Sequence, residues 1–86
     1  MKDYVVSWEE LVFDQFDELE AINPRQDFNV RARSFKEAKL LAGVEAISRV
    51  GVERPNQGLG SFIPSILTIT DPDGVVKEVN PPRSIG

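Results

Sequence analysis

The chain has 86 residues, a net charge of −4, and neither cysteine nor histidine. That length makes one small domain. The missing residue types exclude disulfides, thiolate chemistry and Cys-based zinc sites, and remove the commonest general base and transition-metal ligand. A hydrophobic content of 41% with 28% charged residues is that of a folded globular chain. No apolar run approaches the ~18 residues of a membrane span, and the opening MKDYVVSWEE lacks the apolar stretch of a secretion signal. The expectation is a cytoplasmic protein with no membrane association, no catalytic residues, no metal site and no cofactor.

Residues 2–6 read as a first strand. Ser7-Trp8-Glu9-Glu10 then has the S-x-x-E form of a capping box, with Val6 and Leu11 at the hydrophobic-staple positions. It predicts a helix over 8–22, stopped by Asn23-Pro24. At 100° per residue, Trp8, Leu11, Val12, Phe16, Leu19 and Ile22 form one apolar stripe, so Phe16 is expected in the core. The acids Glu9, Glu10, Asp14, Asp17, Glu18 and Glu20 fall on the remainder, with Phe13 in their midst. An apolar ring inside a rim of charge has the form of a binding anchor. The competing reading makes 4–13 one long strand.

Residues 27–33 alternate: Phe28, Val30 and Ala32 on one side, Asn29, Arg31 and Arg33 on the other, as in a half-buried strand. Ser34-Phe35-Lys36-Glu37 is a second capping box. It predicts a helix over about 35–50, ended by Gly51 and burying Ala38, Leu40, Leu41, Ala42, Val44, Ile47 and Val50 against a sheet. Gly43 lies inside it at a cost of ~1 kcal/mol against alanine. Residues 52–62 read as a loop; its Gly58-Leu59-Gly60-Ser61 has no lysine and no following helix, so it is not a phosphate loop. Strands follow at 64–70 and 75–79. Asp71-Pro72-Asp73-Gly74 turns between them, placing Ile69 opposite Lys77 and Leu67, Ile69, Val75 and Val79 on the core face. These elements predict an α+β fold: a four-stranded, mainly antiparallel sheet with two helices on one face. Residues 1–80 form one compact domain and 81–86 a disordered tail.

"FNVRARSFKEAKLLAGVEAI" and "SILTITDPDGVVKEV" together resemble small phage-encoded proteins of a strand–helix–hairpin type, over residues 27–80. The likeness rests on Ala32, Ser34, Glu37, Ala38, Ala42 and the turn Asp71 to Gly74. Those proteins mostly lack a known activity, so the resemblance implies a fold and a phage setting but no functional residue. The acidic segment at 9–22 departs from their pattern.

Charge is unevenly spread. From Asp3 to Asn23 there are seven acids and no base; nine of the ten bases follow. Glu10, Asp14 and Asp17 at i, i+4 and i+7 line a helix face but form a ridge rather than a cation cage. Asp71, Asp73 and Gly74 resemble the start of a calcium loop, but the remaining spacing is that of a hairpin. The leading expectation is a non-catalytic interaction protein, a phage-encoded modulator or inhibitor that imitates nucleic acid. It would bind a basic host protein through Glu9, Glu10, Phe13, Asp14, Asp17, Glu18 and Glu20. The second reading is a small assembly protein that self-associates. The third is a nucleic-acid binder using Arg31, Arg33, Lys36 and Lys39, which the overall charge opposes.

Overall fold

A computed structural model describes residues 1–53 and 61–85; the Gly58–Gly60 stretch and most of the expected loop lie outside them. The fold is α+β, but with five strands and one helix. Strand β1 (Lys2–Phe13) is followed by β2 (Leu19–Pro24), β3 (Phe28–Ala32), helix α1 (Phe35–Glu53), β4 (Ser61–Thr70) and β5 (Val76–Glu78). The expected first helix does not form. Residues 8–13 continue the first strand, 14–18 turn, and 19–24 return as β2.

Strand β1 is the spine of an antiparallel sheet. One edge pairs with β3 over Lys2–Val6, then with β2 over Glu9–Phe13. The other edge pairs with β4 from Val5 to Phe13. Both edges are occupied at Val5, Val6 and Glu9–Phe13, and every residue from Lys2 to Phe13 has a partner strand on at least one edge, which suits a segment rich in Val, Trp and Phe. Tyr4, Val6 and Trp8 alternate into the core. Trp8 meets Phe28 edge-on, ring centroids 5.8 Å apart, and donates its indole N–H to the carbonyl of Gln26 at 3.0 Å.

Helix α1 lies on this face. Its capping box forms: Ser34 Oγ accepts from the Glu37 amide at 3.2 Å. The Glu37 carboxylate reaches back to the amide of Arg33, one residue before the serine, at 3.3 Å. The helix runs past Gly51 to Glu53. It buries Ala38, Ala42, Ala46 and Val50. Leu40, Leu41, Val44 and Ile47, expected against the sheet, are exposed instead. Tyr4, Trp8 and Phe28 already fill the sheet's inner face, so only small side chains let the helix approach.

The second hairpin matches its expected register, with Ile69 opposite Lys77 and the Val79 amide donating to Leu67 at 2.7 Å. Gly74 takes φ +86°, as its turn requires. A bulge beside Ser7 and Trp8 adds one residue to β4. Ile66 and Ile69 therefore point into the core, while Leu67 is half-buried and Val75 exposed. Pro64 sits where β4 has no second neighbouring strand among the described residues, the place a sheet tolerates proline. Residues 81–85 have no regular secondary structure, and the Arg83 amide donates to Glu9 at 3.4 Å. Among the described residues no helix is long and apolar enough to cross a membrane.

Candidate functional site

The acidic segment is two strands and a tip, so its carboxylates do not share one face. Glu10 is fully buried on the helix side of β1. Its Oε1 accepts from Asn23 Nδ2 at 2.8 Å, and its Oε2 pairs with Arg25 at 3.3 Å. The Arg25 guanidinium also lies 4.9 Å from the Trp8 ring centroid. Glu10 thus ties β1 to the end of β2 from inside the molecule and is unavailable to a partner. Glu9 is half-buried on the opposite face, against the tail. Phe13 is half-buried opposite Leu19, rather than standing out of an acidic surface.

The tip, residues 14–18, is a defined turn. The Asp14 carboxylate accepts from the amides of Phe16 at 2.8 Å and Glu18 at 3.0 Å. Asp14 and Glu18 close the hairpin through Asp14 N–H to Glu18 O at 2.9 Å. Asp17 adopts φ 60°, a left-handed conformation that aspartate tolerates. The Asp71 turn repeats each step: its carboxylate accepts from Asp73 and Val75, both at 2.9 Å, and its fourth residue is the left-handed Gly74. Asp-x-x-Asp and Asp-x-x-Gly therefore close their hairpins by one device.

This turn fixes the backbone so that Phe16 points outward, 75% exposed. Asp17, Glu18 and Glu20 are exposed around it and form no ion pair among the described residues. The aromatic ringed by charge is real, but it is Phe16, which helical periodicity places in the core, and not Phe13. The signal that locates it is the likeness of Asp14–Glu18 to Asp71–Val75.

A second surface lies on the outer side of α1. Leu40, Val44 and Ile47, at i, i+4 and i+7, are 67%, 68% and 64% exposed. Beside them Gly43 leaves a shallow groove of about 550 Å³, bordered by Lys36 and Lys39. Reading these positions as core concealed this face.

The four bases of the nucleic-acid reading are dispersed. Arg31 lies on the sheet face away from α1, 3.3 Å from Asp3, whereas Lys36 and Lys39 lie on the outer side of the helix. Among the described residues no three carboxylates converge as a metal site would need. Comparison with known proteins found no matching family model, no matching curated protein and no matching solved structure.

Proposed function

We propose that this chain is a non-catalytic interaction protein that engages a basic protein surface through the β1–β2 hairpin tip. The observation that carries this reading is Phe16, three-quarters exposed on a turn locked by Asp14 and surrounded by Asp17, Glu18 and Glu20. A singly exposed apolar residue is ordinary; what marks Phe16 is that a hydrogen-bonded turn holds it outward inside a rim of carboxylates, the form of an anchor with a polar rim. An aromatic gains by entering a partner's pocket, and the surrounding carboxylates direct it to a cationic rim. The chain's lack of His and Cys supports a role without acid–base or thiolate chemistry. The phage-type resemblance of residues 27–80 favours a host protein as the partner, one whose phosphate-binding surface the carboxylates would occupy.

The test immobilises the chain, passes a bacterial lysate over it and compares three forms. The parent is expected to retain basic proteins. Asp17→Lys with Glu18→Lys should slow their association and flatten its salt dependence, and Phe16→Ser should speed their dissociation. Identical retention by all three forms would end this reading.

A further inference from the structure

Gly43 has no explanation among the described residues. Its backbone is ordinary helix, without the positive φ that calls for glycine. Among the described residues a Cβ at this position would meet nothing within 4 Å, so no described neighbour needs the space either. Glycine at a mid-helix position still costs the helix stability relative to alanine. What the missing side chain does produce is the groove between Lys36, Lys39, Leu40, Val44 and Ile47. Its apolar wall is made of side chains that the helix turns away from its own sheet, burying alanines in their stead.

The charges at the groove add a second argument. Lys36 stands in the first turn of α1, where the helix dipole is positive and cations are disfavoured, and Lys39 follows it within the next turn. Neither forms an ion pair among the described residues. An anionic group docked beside them would pair with both lysines and, at Lys36, offset the dipole as well. The molecule itself carries a matching piece: an outward aromatic among unpaired carboxylates, at the hairpin tip.

That tip cannot reach its own groove. Ala32, which leads into α1, pairs with Lys2 at one end of β1, whereas Phe13 and Leu19 flank the tip at the other. A strand of 12 residues spans roughly 40 Å at its ordinary rise, comparable with the 41 Å long axis of the molecule. Knob and groove therefore lie in different halves of the molecule and on different surfaces, so they can meet only between copies, in a head-to-tail contact.

We propose that the Gly43 groove receives the hairpin tip of a second copy of this chain. Phe16 sits against Leu40, Val44 and Ile47, and Asp17 and Glu18 face Lys36 and Lys39. The proposal rests on the reading of the tip as a recognition element and gives it a second partner, another copy of this chain, beside the host protein proposed above. The contact is heterologous, so each molecule keeps a free tip and a free groove, and association is open-ended.

Sedimentation velocity over roughly a hundredfold range of concentration tests it. The parent should associate progressively, beyond a dimer, and several-fold less at high ionic strength. Phe16→Ser should weaken association by about tenfold or more. Lys36→Glu with Lys39→Glu should do the same. Gly43→Ala should raise the melting temperature yet weaken association, because it improves the helix while placing a methyl group in the groove. The decisive sample mixes the Phe16→Ser chain, whose groove is intact, with the Lys36→Glu/Lys39→Glu chain, whose tip is intact. The mixture should form a one-to-one dimer that grows no further.

A mixture that stays monomeric while the parent associates overturns the proposal. So does a closed dimer indifferent to Phe16→Ser, which would mean two helices packed face to face. A parent that is monomeric throughout, with Phe16→Ser still losing basic lysate proteins, overturns the self-contact and leaves the tip reading standing. If Phe16→Ser changes neither association nor retention, both fall.

Discussion

Residues 7–22 and residues 34–50 begin with the same local message and end as different structures. Each opens with S-x-x-E, and each carries apolar residues at spacings a helix can use. The second segment is a helix whose capping serine accepts the Glu37 amide. In the first, Ser7 lies inside a 12-residue strand, and the glutamate of its would-be box is buried against Asn23 and Arg25. A cap stabilises by ~1 kcal/mol. Burying Tyr4, Val6, Trp8 and Leu11 along the central strand of the sheet stabilises by several times that. When the two conflict, the cap loses. In the second segment nothing conflicts: alanines at 38, 42 and 46 favour the helix and also fit the space over the sheet.

The largest test of this contrast is Arg25. If Glu10 were a solvated helix residue, Arg25→Ala would be close to silent. With Glu10 wholly buried beside it, the substitution leaves a buried carboxylate short of its cation and should cost about 3 kcal/mol. Urea titration of the two proteins measures it, and an unchanged midpoint would break the account of β1. Arg25→Lys should recover only part of the loss, since the planar guanidinium over Trp8 is not reproduced by an ammonium.

The two boxes give a paired experiment of intermediate size. Ser34→Ala removes a working cap and should cost about 1 kcal/mol. Ser7→Ala removes a residue that caps nothing and should stay within about 0.5 kcal/mol. Equal losses would put a helix back at residue 8.

Asp14→Ala separates the alternatives by sign. On the solvated face of a helix, alanine would be the better helix former and the variant would gain stability. At the turn, Asp14 holds two amides, and its loss should cost about 1 kcal/mol. Thermal melts of parent and variant decide between gain and loss.

The smallest expected effect is that of Phe16→Ser, within about 0.5 kcal/mol, because the ring is three-quarters exposed. A helical segment would make the same substitution one of the most damaging in the chain, at ~3 kcal/mol. Stability of Phe16→Ser therefore reports on the fold, and its binding reports on the tip, in one protein.

The parts legible in the sequence are those set by neighbours in the chain. Strand β3, with Phe28, Val30 and Ala32 inward, follows from alternation alone. The Ser34 box predicts where α1 starts, and the Asp71 turn predicts the register of β4 with β5 down to Ile69 opposite Lys77. In each case the interactions close within a few residues, so local composition determines them. The same chemistry was available at Asp14, whose turn matches that of Asp71, but Asp17 in the left-handed position is a weaker cue than Gly74.

Tertiary structure decided the rest. Whether residues 8–13 coil or extend depends on β2 occupying one edge over Glu9–Phe13 and β4, distant in the chain, occupying the other. Whether α1 presents leucines or alanines to the sheet depends on how much room Tyr4, Trp8 and Phe28 leave. Those choices buried Glu10, turned Phe16 outward and opened the groove at Gly43. Periodicity counts which residues could share a face, but only packing against distant chain settles which face is covered.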